Sequence, residues 1–192
     1  PEYATHCVAA GGLCVDFERR RVLVIREKVS ADTVTWKIPG GHADVGEYIP
    51  DTAIREVWEE TGIRSVFKGV VGMREKLNHN FGRNGIYFVC LLEPLTFEIV
   101  KDDYEIGECK WMDVEEWAKS DFKVEAQQAI SKIALDLVQN REAASKNLMV
   151  PREVQKKIGA NAGTFLMHMN QNYVDQSSVW KSKLNFDKLK NH

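Results

Sequence analysis

The chain has 192 residues, 44% of them hydrophobic and 28% charged, which is an ordinary globular balance with enough length for one well-buried core and a small extension. A net charge of -2 is too small to indicate broad attraction to nucleic acid or to a membrane surface. No apolar run approaches the length of a membrane-spanning helix, and no secretory h-region opens the chain.

The chain opens at Pro1 without Met, from which a missing upstream region is expected. From Tyr3 to Phe17 the sequence is apolar and contains Gly11 and Gly12, which predicts a buried strand or two whose backbone a neighbour approaches closely. A charged turn leads to a second strand, the β-branched run Arg21 to Lys28. Val34 to Ile38 reads as a short strand that ends at the turn Pro39-Gly40-Gly41. A helix follows: Pro50 suits its first turn, Ala53, Ile54 and Val57 supply an apolar face, and Gly62 stops it.

Strands are then expected over Val66 to Glu75, Gly85 to Leu92, Leu95 to Val100 and Glu105 to Met112. Asp113 to Ala118 reads as a short helix and Phe122 to Arg141 as a long one, with Ala126, Ile130, Ile133, Ala134, Leu137 and Val138 on one stripe. Residues 145–192 read as a C-terminal extension to a domain at 1–144. Val154 and Ile158 suggest a helical turn after Pro151, Phe165 to Met169 is an apolar patch, and the polar, lysine-rich stretch from Ser177 reads as a loosely held tail. Trp36, Trp58, Trp111 and Trp117 read as packing residues.

Cys7, Cys14, Cys90 and Cys109 form no CxxC pair and fall in strand-like stretches. Buried free thiols in a reducing compartment are therefore expected, which favours a cytoplasmic location, with nucleus and organelles left open. The five histidines make no HExxH, so a zinc site of the usual kind is not expected.

The densest chemistry lies at Arg55-Glu56-Val57-Trp58-Glu59-Glu60. Three carboxylates within about one and a half helical turns repel one another, and their three- and four-residue spacing puts them on one side of a helix. Arg55 stands four residues before Glu59 and can hold a carboxylate in place. Hard cations such as Mg²⁺ or Mn²⁺ prefer such oxygen ligands, and polyphosphate is their natural substrate. The Gly40-Gly41 turn adds an exposed carbonyl, and Glu47 lies where it can brace the cluster.

Gly41, Glu47, Arg55, Glu56, Glu59, Glu60 and Gly62 together form a pattern whose chance occurrence is on the order of 10⁻⁸ per starting point. Gly, five residues, Glu, seven residues, Arg-Glu-aliphatic-any-Glu-Glu-any-Gly-aliphatic is the motif of the Nudix hydrolases, and residues 41–63 resemble that family at every specified position. The resemblance implies an α/β/α sandwich around a mixed sheet. It also implies Mg²⁺- or Mn²⁺-dependent hydrolysis of nucleoside diphosphates linked to another moiety. Carried over by position, Gly40, Glu56, Glu59 and Glu60 would hold the metal, while Arg55 and Glu47 orient the ligands. Glu105, six residues before Trp111, has the placement of a further family carboxylate, so Glu59 and Glu105 are both candidates for the group that deprotonates water.

Tyr3 to about Ala118 further resembles one branch of that family, the growth-factor-antisense proteins of animals and the plant ADP-ribose/NADH pyrophosphatases, which carry an additional N-terminal domain. ADP-ribose and a dinucleotide such as NADH are thus candidate substrates. Removal of oxidised nucleotides and a catalytically weak nucleotide-sensing or protein-binding module are the alternatives. Pocket candidates are Arg74 at a strand end, His79, Phe81 and Arg83 in the loop after it, and Arg26 and His42 near the motif. Arginine suits phosphate through its planar fork, and Phe81 suits stacking on a base. A homodimer is admitted, with Phe165 to Met169 as one candidate surface.

Overall fold

Strand β1 (His6–Asp16) is the axis on which the other elements are arranged. The computed structural model describes residues 5–28, 35–78, 82–120, 122, 125–156, 163–170, 181, 182, 184 and 186, and for 145, 152–156 and 163–167 the backbone. Along one edge β1 runs parallel to β5 (Asn84–Pro94), from His6↔Asn84 to Cys14↔Leu92. Its other edge forks. Ala9 to Gly11 pair with β3 (Gly40–His42), whereas Val15 and Asp16 pair with β2 (Arg21–Glu27). β4 (Ser65–Lys76) lies beyond β5 and β6 (Ile106–Asp113) beyond β2, both antiparallel. β7 (Met149–Lys156) and β8 (Gly163–Asn170) complete the order β6-β2-β1-β5-β4-β7-β8, with β3 held on β1. The sheet is mixed, as expected for an α/β/α sandwich.

Strand alternation separates two cores. Leu13, Val15, Val89 and Leu91 face α2 (Val114–Ala118) and α3 (Glu125–Gln139), meeting the fully buried Trp117 and the stripe Ile130, Ala134 and Leu137. Ala10, Cys14, Cys90 and Leu92 face α1 (Ile49–Thr61) through Ala53, Ile54 and Val57. The two glycines of β1 fit the close approach expected of them. A Cβ on Gly11 would overlap the Tyr87 hydroxyl, and one on Gly12 would overlap Val57 and Leu92. All four cysteines are free and lie in β1, β5 and β6.

α1 starts at Pro50 in its first turn and stops at Gly62, whose φ of 73° is left-handed and whose N–H bonds the Trp58 carbonyl at 2.7 Å. The segment 95–100, expected as a strand, forms none. Its backbone serves the helix end instead: Val100 N–H bonds Thr61 O at 2.9 Å and Asp102 N–H bonds Glu60 O at 3.1 Å. These are carbonyls that a helix terminus leaves without partners of its own. Nor does Val34 to Ile38 form a strand over its described part. Lys37 makes an isolated bridge with Ile25, and the strand lies just downstream at β3.

The long helix expected over Phe122 to Arg141 is described from Glu125 and is followed by a separate α4 (Arg141–Ser145). The helical turn expected after Pro151 is corrected to strand β7. Val154 pairs with Phe165 in a β7–β8 hairpin, so the apolar run Phe165 to Met169 is a strand as well. Ile158 lies outside the described residues. Farther on, Leu184 and Phe186 pack against the α1 core. Phe186 stands 6.3 Å from Trp58 between ring centroids and 5.5 Å from the Arg64 guanidinium, and the Ser182 hydroxyl bonds Asp51. No helix among the described residues is long and apolar enough to cross a membrane.

Gly12 sets how closely α1 approaches the sheet. Gly12→Ala is expected to destabilise the fold by about 1–3 kcal/mol through overpacking. The check is urea unfolding, with a lowered midpoint and an unchanged slope.

Candidate active site

The site is built around Arg55, whose side chain is 12% exposed. Nε and Nη2 bond the two oxygens of Glu47, each at 2.9 Å, a planar two-point grip that suits guanidinium and carboxylate. Nη2 also bonds the His42 carbonyl at 2.9 Å. Nη1 bonds Glu56 at 2.9 Å and Glu59 at 2.8 Å. One side chain thus ties the middle and end of α1 to the loop that follows β3. Glu47 additionally accepts from Thr52 Oγ1 at 2.9 Å and Asp44 N–H at 3.1 Å. Burial pushes the Glu47 carboxyl up, but Arg55 and these donors outweigh it and hold it below its ordinary value. In return Glu47 foremost, with Glu59 and Glu56, holds the Arg55 proton more firmly than usual, against burial.

Glu56 and Glu60 are in the opposite situation. Burial pushes Glu56 up, and Glu59 and Glu47 add to it, more than Arg55 compensates. Burial pushes Glu60 up to about 8, against Lys37 and the Gly40 N–H, which donates to its Oε2 at 2.8 Å. Glu60 is only 7% exposed. It also ends a helix whose last turn contains no basic residue, where the dipole disfavours negative charge. Glycine at position 41 makes room for the cluster, because a Cβ there would stand 2.6 Å from Glu56 Oε1.

Glu56, Glu60, Gly40, Gly41 and His42 border a cavity of about 540 Å³. Glu27, Lys37, Arg74, Lys76, Tyr87 and Glu105 line it as well. Among the described residues, no three His, Cys, Asp or Glu side chains converge closely enough to hold a metal ion as they stand. The donor chemistry does fit a hard divalent cation. Two nearly buried carboxylates meet a glycine turn, and both are driven towards their protonated forms by burial and by neighbouring negative charge.

Of the residues expected from sequence, Gly40, Glu56, Glu60, Glu105, His42 and Arg74 are brought to this cavity. Glu47 and Arg55 stand behind it as bracing. Glu59 is exposed and turned to Arg55, away from the cavity lining. Arg26 stands apart too. It pairs with Glu108 at 3.0 Å and its guanidinium lies 4.1 Å from the Trp36 ring centre, which gives that tryptophan a packing role. Phe81 and His79 lie outside the described residues. Glu27, Lys37, Lys76 and Tyr87 were not singled out from sequence. Alternation would have found Lys76, which shares the face of Arg74 two residues on. Lys37 pairs with Glu27 across the Ile25–Lys37 bridge, a contact with no local sequence signal.

Comparison with known families matches residues 5–133 to the NUDIX domain. Similar proteins include Nucleoside diphosphate-linked moiety X motif 6 of Xenopus laevis, 42% identical over 120 residues that make up 62% of this chain and 55% of the frog protein. Nudix hydrolase 6 of Arabidopsis thaliana is 37% identical over 147 residues, 74% of this chain and 52% of the plant protein. An animal and a plant relative are thus both found, and the chain spans about half the length of each. Among solved structures, the MutT protein from Methanosarcina mazei Go1 aligns with a TM-score of 0.58 at 21% identity, over 74% of this chain and 99% of that one. At that identity the likeness is one of fold.

Two outcomes are expected. Arg55→Ala leaves the nearly buried Glu47 and Glu56 without their partner and should cost about 3 kcal/mol in chemical denaturation, the low end for a pair broken inside a protein. Arg55→Lys should recover little, since an ammonium lacks the planar fork. The second concerns pH. A carboxyl whose folded value is raised binds its proton more tightly in the native state, so stability falls as pH rises from the ordinary value of 4.5 towards about 8. Metal-free protein should therefore lose stability across that window, and Glu60→Gln should flatten the loss. The measurement is the urea midpoint from pH 5 to pH 8.

Proposed function

The chain belongs to the Nudix hydrolase family, and on that premise we propose that it hydrolyses the phosphoanhydride bond of a nucleoside diphosphate linked to another moiety, with ADP-ribose and a dinucleotide such as NADH as the leading candidates. The observation that carries this reading is the division of charge in one cavity. Glu56 and Glu60 lie at the Gly40–Gly41 turn, and Arg74 and Lys76 lie on β4. A diphosphate needs both kinds of wall, acidic groups to hold a cation and basic groups to take its remaining charge.

Glu56, Glu60 and the Gly40 carbonyl would hold Mg²⁺ or Mn²⁺, with Glu59 as a further ligand once it turns from Arg55. Such an ion, when bound, withdraws charge from a phosphoryl group and makes a bound water more acidic. The chain's own residues do the rest. Arg55 and Glu47 fix where α1 presents its carboxylates relative to β3. Arg74 and Lys76 receive and orient the phosphates from the far side, and His42 does so from beside the glycines. Glu105 borders the cavity, while Glu59 is engaged with Arg55. This supports Glu105 over Glu59 as the group that takes the proton of the attacking water. The relatives' names support the substrate class, since one is named for a nucleoside diphosphate-linked moiety.

The test is a panel of nucleoside-diphosphate compounds with Mg²⁺ or Mn²⁺, the products identified by mass. Cleavage at the phosphoanhydride is expected, and a panel left intact with either metal would refute the assignment. Glu105→Gln should lower kcat by about 10²–10⁴-fold with KM little changed. Glu56→Gln should raise the metal concentration for half-maximal rate by about tenfold or more.

A further inference from the structure

We propose that Tyr87 is a positioning residue of this site: it holds the Arg74 guanidinium over the cavity floor, at a set separation from the Gly40–Gly41 turn. The inference rests on the reading that the cavity takes a diphosphate, and it adds a residue that neither the sequence motif nor the family comparison identifies.

The register places the parts. Arg74 on β4 stands directly opposite Tyr87 on β5, and Tyr87 stands opposite Ala9 on β1. Ala9 in turn stands opposite His42 on β3. The neighbouring rung on the same face reads Lys76, Gly85, Cys7. Apart from Tyr87, the β1 and β5 members of both rungs are small, so the floor is low there and Tyr87 is its one tall side chain.

Both ends of that side chain are engaged. The hydroxyl reaches the fork beside β3. A Cβ on Gly11 would overlap it, and one on Gly40 would stand 2.9 Å from it. The ring lies under Arg74, whose guanidinium carbon is 4.7 Å from the ring centre. An arginine on an exposed strand end has many rotamers open to it, and a cation over an aromatic face selects among them. Tyr87 is therefore a strut. One end is lodged at the Gly40–Gly41 backbone that the carboxylate wall of α1 stands against, and the other carries the cation of the opposite wall.

The test is a double-mutant cycle read with metal-free inorganic pyrophosphate as the probe, by calorimetry, on wild type, Arg74→Ala, Tyr87→Leu and the double variant. Each single substitution is expected to weaken binding by the same factor, on the order of tenfold. The double variant is expected to be no weaker than Arg74→Ala alone. Tyr87→Phe, which keeps the ring under Arg74 and loses the hydroxyl beside Gly40, should recover part of the affinity that Tyr87→Leu loses. In the wild type, ring current should shift the Arg74 side-chain proton resonances upfield, a readout that does not depend on any variant folding.

Additive losses, an Arg74→Ala protein that binds as wild type does, or unshifted Arg74 resonances would each overturn the inference. Nucleotide turnover accompanied by additive losses would overturn it while leaving the hydrolase assignment standing. Coupled losses in a protein that cleaves none of the panel would do the reverse.

Discussion

The Arg55 guanidinium donates five hydrogen bonds, and the geometry of the acidic site follows from where it sends them. Two go to Glu47, in the loop between β3 and α1, and one to the His42 carbonyl at the end of β3. The other two go to Glu56 and Glu59, on the helix itself. Charges this deeply placed are costly to bring out of water, and their attraction offsets that cost only when the geometry is good and the remaining polar atoms are satisfied. Here Glu47 completes its set with Thr52 and the Asp44 N–H. The pairing is best understood as a geometric constraint. It lets α1 take essentially one position relative to the glycine strand.

Other parts of the fold enforce the same position. The backbone that follows β5 caps the C-terminal carbonyls of α1 and meets the helix's glycine terminus, where a Cβ on Gly62 would press on Val100. Underneath, Gly12 lets Val57 approach the sheet. On the outer side, Phe186 and Ser182 touch Trp58 and Asp51. A helix that presents like charges at its own negative end requires such restraint, because repulsion and dipole both favour its displacement.

The fork in β1 explains why the cavity lies where it does. α1 packs on one face of the sheet, whereas Tyr87 belongs by strand parity to the face that carries Leu13 and Val89. The acidic wall and the Tyr87 side chain therefore originate on opposite sides and meet at β3, where two glycines leave room for the Glu56 carboxylate and the Tyr87 hydroxyl. Closely spaced negative groups thus face two cations across a low floor. The two walls also differ in how their residues are arranged along the chain. The acidic wall is nearly contiguous in sequence on α1, whereas what faces it, Arg74 and Lys76 on β4 with Tyr87 on β5, comes from strands farther along the chain.

That difference separates what was legible in the residues from what was not. α1, its stop at Gly62 and its row of carboxylates could be read directly, because helical spacing is local and seven residues stood at fixed offsets. The long amphipathic helix was legible from a repeating period within one element and the buried glycine strand from its apolar run, whereas the sandwich class came with the family resemblance. Segment 95–100 and the stretch after Pro151 were misread, because strand-forming residues are committed by their partners. One found helix carbonyls and the other found a hairpin. Glu27, Lys37, Lys76 and Tyr87 became visible as site residues only once pairing had set distant strands side by side, and Arg26 left the site for Glu108 and Trp36 by the same pairing. The sequence by itself determined the acidic helix and the family, since both depend on spacing along one chain segment. Tertiary structure alone decided what faces that helix across the cavity, since residues far apart in sequence become neighbours only through the sheet.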